Sequence, residues 1–331
     1  MKPDVICLAD VDARRVGWLW EPFIPLRMLS LISGDPGGGK SFIALALAAG
    51  LSRGRLPNGQ VIDPVNTLYL TCENPLAECL RPRFDALGGD PARFFVLKGV
   101  RLGEQSEYRS GVITLSDVDV FDQAISEHDA KLCVIDPIQS FLGANTDMHR
   151  SNETRPVMDG LAKLAESRNC AIALIRHLNK KSGGKAIHRG LGSIDLTGAV
   201  RSEMLAGALA DDPQTRAFCH IKSNVGRLGN SFGYSIDDEG QFAWTGESTL
   251  TAADLLAPPA RRSEDKQSEA VKWLKNLLET NAREQKEVRD LAEAAGHSYG
   301  TLRRAKDSLG VRSYKAGMQG SWMWALPEDA Q

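Results

Sequence analysis

The residues best suited to chemistry are Gly34-Asp35-Pro36-Gly37-Gly38-Gly39-Lys40-Ser41, which fit the pattern GxxxxGK[ST]. Glycines let the backbone curl until several N–H groups face one anion, and a helix N-terminus behind them adds positive potential. Lys40 supplies a mobile charge for β- and γ-phosphates, and the Ser41 hydroxyl is a ligand for Mg²⁺. Such a cradle needs a strand before it and a helix after it. Residues 29–33 read as the strand and 42–49 as the helix. Gly34 to Ser41, with Phe42 at the helix start, are therefore the expected sites for ATP and Mg²⁺. The metal also needs a carboxylate from a neighbouring strand. Asp136 ends the apolar run Leu132-Cys133-Val134-Ile135 and suits that role; the competing reading is an Asp that caps the turn before Pro137.

The elements that must position these groups are short apolar runs at 29–33, 67–71, 94–97, 132–135 and 171–175. They are too short for helices and mostly continuous, as buried parallel strands are. Helical patterns lie between some of them, at 41–51, at 76–87 and around Val157, Leu161, Leu164 and Ala165. Strand–helix alternation predicts a doubly wound α/β domain with a mostly parallel twisted sheet. After Ala199 the texture changes to strands at 203–210, 217–222, 232–236 and 241–244 joined by polar turns, which predicts an antiparallel extension. The domain so read spans 1–250. Residues 251–266, with Pro258-Pro259 and the charge run from Arg261 to Asp265, have the composition of a linker.

The chain resembles the RecA/DnaB-like P-loop ATPases. Strand 67–71 leads into Cys72-Glu73-Asn74-Pro75, and in that family a catalytic glutamate stands at the end of this strand. Pro137 follows Asp136, so no acid is available there, and the resemblance assigns Glu73 to orienting and deprotonating the attacking water. A helix-capping glutamate is the alternative. The order of cradle, Glu-Asn-Pro, Asp136, a strand ending in Arg176-His177 and a downstream Arg201 is similar to the RepA-type plasmid-replication helicases and related mobile-element ATPases over roughly 16–245. The resemblance implies that His177 senses the γ-phosphate. It also implies that Arg201 is an arginine finger given to a neighbouring subunit's nucleotide, Lys222 being a weaker candidate for such a contact. The alternative for Arg201 is an ordinary ion pair with Glu203.

RecA-like motors hold single strands with loops after the fourth and fifth strands, and two stretches answer. Residues 137–155 lack a helical period. Residues 180–193 carry Lys180, Lys181, Lys185, His188 and Arg189 and no acid. A basic, glycine-rich loop can follow a phosphate backbone without reading sequence; a surface loop without function is the alternative. Residues 267–331 read as a winged helix. Ala270, Val271, Leu274, Leu277 and Leu278 form one helical face, Val288, Leu291 and Ala295 a second, and Leu302, Ala305 and Leu309 the inner face of a third. That third helix leaves Tyr299, Arg303, Arg304 and Lys306 outward as DNA-reading residues.

A formal charge of −2 over 331 residues excludes a globally polybasic protein, so nucleic-acid contacts must be local. No apolar run reaches the ~20 residues of a membrane span, and the N-terminus lacks the order of a signal peptide, which makes the cytosol the expected location. The six cysteines include no CxxC pair and read as reduced thiols. With the cradle, the resemblance implies an ATP- and Mg²⁺-dependent motor that acts on single-stranded DNA as a homo-oligomer, a hexameric ring that unwinds duplex. A regulator or loader that uses ATP as a switch without unwinding is the rival, and a recombinase-like filament former is a third possibility.

Overall fold

Along β3 (Leu29–Gly34) alternate side chains enter two different cores, Leu29 and Leu31 one and Ile32 the other. The same alternation runs through β4 (Asn66–Thr71), β6 (Ala130–Asp136) and β7 (Ala171–His177). A period of two with both faces apolar is what a sheet covered on both sides requires. The computed structural model of the chain describes residues 3, 5–100, 113–143, 151–178, 194–257, 261–279, 281–297, 299–315 and 321–327.

Among the described residues nine strands form one sheet, in the order β11-β10-β9-β8-β3-β7-β6-β4-β5. Here β5 is Phe94–Val96, β8 is Ser202–Ala208, β9 is Arg216–Ser223, β10 is Ser231–Ile236 and β11 is Phe242–Ser248. Strands β8, β3, β7, β6, β4 and β5 pair in parallel, and β9, β10 and β11 add antiparallel pairs beyond β8. This is a mixed α/β fold with a large, mostly parallel sheet, consistent with a P-loop NTPase core. Helix α1 (Lys40–Ser52) is buried nearly all round and lies on one face with α2 (Arg81–Ala86). Helices α3 (Val118–Glu127), α4 (Ser151–Arg168) and α5 (Ile194–Ala199) cover the other. Helix α4 takes in residues 151–155, which the sequence reading left without helical period; 144–150 lie outside the described residues.

A hairpin of β1 (Trp18–Trp20) and β2 (Ile24–Pro25) precedes the cradle strand and was not foreseen. Trp20 and Phe23 stack at 4.2 Å and meet Phe218 and Phe232 of the antiparallel extension. Beside them a buried chain of polar groups ties the hairpin down. Gly229 N–H donates to His220 Nδ1 (2.9 Å), His220 Nε2 lies 3.0 Å from Ser202 Oγ, and Ser202 donates to the Phe23 carbonyl (2.6 Å). With Nδ1 accepting and Ser202 donating onward, the ring proton sits on Nε2 and the imidazole is neutral.

The stretch 251–266, read as a linker, contains helix α6 (Ala252–Leu256), capped by Thr251, and the first turns of α7 (Arg261–Leu278). The chain divides into compact units after Ala257. The second unit holds α7, α8 (Gln285–Ala294), α9 (Tyr299–Ser308) and a three-stranded antiparallel sheet of β12 (Arg283–Glu284), β14 (Trp322–Ala325) and β13 (Arg312–Lys315). Its core is built by Ala270, Leu274, Leu278, Val288, Ala292, Leu302, Ala305, Val311 and Trp324. Two expectations need correction here. The inner face of α8 is Val288 and Ala292, while Leu291 and Ala295 are exposed. Lys306 does not point freely outward: its ammonium donates to Ser313 Oγ (2.8 Å) and lies over the Trp324 ring. Among the described residues no helix is long and apolar enough to cross a membrane.

Burial pushes the His220 imidazole down to about 4, below its ordinary value near 6.5. The unfolded chain therefore binds the extra proton first. The contribution to stability is complete above about pH 6.5 and is lost as pH falls toward about 4, a loss of roughly 2–3 kcal/mol. Thermal unfolding followed across that window should show a steeper decline for the unaltered chain than for His220→Gln; parallel slopes would refute the assignment.

Candidate nucleotide-binding site

Parallel register puts the carboxyl ends of four strands at one height. Gly34 pairs with His177, and Thr71 pairs with Asp136. The chain leaves β3 toward β4 on one side and arrives at β8 on the other, so the crevice lies where strand order reverses, the usual place for a ligand in an open α/β sheet. Two glycines are demanded by geometry. A Cβ at Gly34 would collide with the Ala206 carbonyl of β8, and Gly39, the residue before α1, has φ +83°. The cradle is also held from outside by residues with no sequence signature. Tyr234 donates its hydroxyl to the Gly38 carbonyl, and Arg216 donates to the Gly37 carbonyl (3.0 Å). Phe42, in the first turn of α1, lies under the Arg83 guanidinium at 4.5 Å.

Lys40 is buried and donates to the Asp35 carbonyl across the loop (2.8 Å). Burial lowers its proton affinity, against the pull of Asp136, Asp35 and Glu73. Asp136 is buried, and one oxygen accepts from the Tyr69 hydroxyl (2.6 Å). Burial, followed by Asp136, raises the Tyr69 hydroxyl well above its usual range, so it stays a donor. Glu73 follows β4 and is exposed; its Oε1 lies 3.8 Å from His177 Nε2. Burial first, and Lys40 second, lower the His177 imidazole, which is accordingly neutral near pH 7. The structure thus brings Lys40, Ser41, Glu73, Asp136 and His177 to one edge.

Three buried polar atoms at this edge have no protein partner among the described residues: Asp136 Oδ1, Gln139 Oε1 and His177 Nδ1. Gln139 is placed by its bond to the His177 carbonyl (3.2 Å). An orphaned carboxylate oxygen beside a glycine cradle fits a hydrated Mg²⁺, which takes one or two protein oxygens plus phosphates rather than an all-protein cage. Consistent with that, no cluster of three or more His, Cys, Asp or Glu is found among the described residues.

Arg201 is not part of this edge. Its N–H donates to the carbonyl of Leu29 (2.9 Å), where β3 begins, so it sits the length of the strand from its own cradle, roughly 17 Å. The alternative partner Glu203 is taken: its carboxylate is buried against Arg176 (2.8 Å). Lys222 is engaged within the chain, donating to the carbonyls of Thr197 and Val200 (2.8 Å for the latter) at the end of α5. Lys180, Lys181, Lys185, His188 and Arg189 lie outside the described residues. Arg303 and Arg304 are exposed on α9 in the second unit. The sequence reading missed Tyr69, Gln139, Arg176, Arg216 and Tyr234. A tyrosine in an otherwise aliphatic strand, needing a partner for its hydroxyl, was the available signal for Tyr69.

The AAA-domain family model matches residues 5–183, more than half of the chain. No curated protein matches it.

If Tyr234 braces the cradle, Tyr234→Phe keeps the ring packing and leaves the Gly38 carbonyl without its donor. Affinity for a fluorescent ATP analogue should fall about 5- to 30-fold, for a lost bond of ~1–2 kcal/mol. Titration showing unchanged affinity would dismiss the bracing role.

Proposed function

The chain belongs to the AAA-domain family of P-loop ATPases, and from that premise we propose that it is an ATP-hydrolysing motor that works on single-stranded DNA as a ring of identical subunits, in the manner of a mobile-element replicative helicase. The observation that carries the ATPase part is the meeting of Lys40, Glu73, Asp136 and His177 around the cradle. Ser41 and Asp136 would hold Mg²⁺, which when bound neutralises charge on the β- and γ-phosphates. In the proposed reaction water attacks the γ-phosphorus, the bond to the β–γ bridging oxygen breaks, and Glu73 takes the proton of the attacking water. Lys40 balances charge on the departing diphosphate. Neutral His177 reports the γ-phosphate through a hydrogen bond rather than a charge.

Subunit sharing is supported by the place of Arg201 at the opposite edge of the sheet, where it can serve only another copy's nucleotide. The DNA reading is supported by the basic composition of 180–189. The second unit supports it too. Its order of helix, strand, two helices and two strands favours the winged-helix reading, and Arg303 and Arg304 are exposed on the third helix. That unit equally favours a rival, an ATP-switched regulator or loader that docks on DNA and unwinds nothing. ATPase assays with and without single-stranded DNA, paired with strand displacement on a forked duplex, separate the two. Stimulation without displacement selects the rival.

Lys40→Ala and Glu73→Gln should each reduce hydrolysis by roughly 10²–10⁴-fold, the second while retaining ATP binding. Arg201→Ala should lose hydrolysis at unchanged ATP affinity and regain it on mixing with Lys40→Ala subunits, which supply the missing arginine to intact cradles. Normal hydrolysis by Arg201→Ala alone would sink the sharing model. DNA affinity should fall steeply between low and high salt as neutralised phosphates release counterions. A flat salt response would sink the contact to the phosphate backbone.

A further inference from the structure

Arg176 is an arginine with almost no exposure, at the end of a strand, next to His177, which pairs with Gly34 of the cradle. Consecutive residues on a strand point to opposite faces. His177 turns toward Glu73, and Arg176 turns the other way, toward α5. One guanidinium nitrogen, Nη2, donates to Glu203 (2.8 Å) and to Ser33 (2.9 Å), and Ser33 itself donates to Glu203 (3.1 Å). The other, Nη1, reaches the Thr197 hydroxyl on α5 (3.5 Å). The three members of this cluster stand on β7, β3 and β8: Arg176 and Ser33 pair one residue behind Gly34 and His177, and Glu203 is in register with Leu31 further back along β3. Lys222 holds the same helix through the carbonyls of Thr197 and of Val200 just past its end, and the chain runs through Val200 directly into Arg201.

We infer that Arg176 is a positioning residue: the Arg176–Glu203–Ser33 cluster is a strut that carries the state of the nucleotide site to α5, and through it to Arg201. The physical reason is stiffness. A buried ion pair cannot exchange its partners for water, so the guanidinium is held rigidly to the end of β7, and a tilt of that end on nucleotide binding at His177 is passed to Thr197 through the hydrogen bond from Nη1. Arginine is needed because its planar fork reaches Glu203 and Thr197 at once, which a lysine ammonium cannot. The inference rests on nucleotide filling the cradle and is independent of the DNA reading.

Hydrogen exchange of the full chain, with and without a non-hydrolysable ATP analogue and Mg²⁺, tests it. In the unaltered protein the analogue should slow exchange at 34–42 and also at 194–201, the latter by about tenfold. Thr197→Val removes the acceptor and leaves no buried charge unpaired; Arg176→Lys keeps the charge opposite Glu203. Both should keep the slowing at 34–42 and lose it at 194–201. A purely structural role predicts faster exchange at 194–201 by the same factor with and without the analogue, leaving the nucleotide-dependent ratio intact, and that result overturns the inference. It is equally overturned if the unaltered chain responds at 34–42 but not at 194–201. No response at 34–42 would remove the nucleotide reading, and this inference with it. Should Arg176→Lys fail to fold, Thr197→Val alone decides.

Discussion

Strand β3 is buried along its whole length and hydrogen-bonded to a parallel neighbour on each side, β7 and β8. Its carboxyl end therefore cannot shift without moving both. That constraint sets what every residue near the cradle can be. Gly34 has no room for a side chain because β8 passes so close. His177 stands beside Gly34 because β7 is inserted between β3 and β6, and Asp136 is one strand further out for the same reason. The loop then turns into α1 through a positive φ at Gly39, and the first turn of α1 aims its free N–H groups back over the strand ends. The antiparallel extension is part of this design, since Arg216 of β9 and Tyr234 of β10 each grip a cradle carbonyl.

Charge balance is the second constraint. Three carboxylates, Asp136, Asp35 and Glu73, act on the single ammonium of Lys40, and His177 adds no positive charge because burial keeps it neutral. Arg216 on the Gly37 carbonyl and Arg83 over Phe42 add positive charge beside the cradle, so the carboxylates there are about balanced before a triphosphate binds. A bound triphosphate would add negative charge that a divalent cation beside it would offset. Asp136 Oδ1 has no protein partner among the described residues, while Oδ2 is held by Tyr69. The hydroxyl of Tyr69 thereby fixes which carboxylate oxygen faces the crevice. Arg176 and Glu203 follow a different rule. Two opposite charges with almost no exposure gain little net stability from their pairing, and removing one partner costs about 3–5 kcal/mol because the other is stranded. A pair so poor at stabilising but so costly to break is suited to holding strands in fixed relation.

What the sequence disclosed follows from the range over which each feature is determined. The cradle, Asp136 and the five parallel strands were legible because each depends on a contiguous run: glycines for a curled backbone, an apolar run for a buried strand. Glu73 was legible only by resemblance, since a lone glutamate after a strand has no local mark. Tyr234 and Arg216 were not legible, because their partners are 196 and 179 residues away and nothing near them in the chain hints at a cradle. The hairpin at Trp18–Pro25 escaped for a similar reason: Trp20 and Phe23 are apolar for the sake of Phe218 and Phe232 on distant strands. The error at α8 is one of degeneracy. Val288 with Leu291 and Ala295 and Val288 with Ala292 both satisfy helical spacing, and only packing against Trp324 and its neighbours selects the second. At 251–266 the double proline and charge run suggested a linker, but charges separated by helical spacing are as compatible with an exposed helix, and Arg261 begins one.

The groups gathered around the cradle come from the carboxyl edge of the sheet, and the arginines Arg216 and Arg83 there are engaged by the Gly37 carbonyl and the Phe42 ring. Arg201 is exposed, but at the amino edge, anchored where β3 begins and backed by α5 and Lys222. A residue fixed at one end of a sheet cannot serve a site at the other end of the same sheet, because the strands between them do not shorten. It can serve the equivalent site of a second copy stacked head to tail. Such heterologous contacts repeat by a fixed rotation, and they end in a ring when the rotation closes and in a filament when it does not. The choice between these is set by the angle between neighbours and not by any residue of the cradle. The same chemistry is therefore compatible with either assembly, and it is the placement of Arg201, rather than the glycine loop, on which the proposal of shared sites rests.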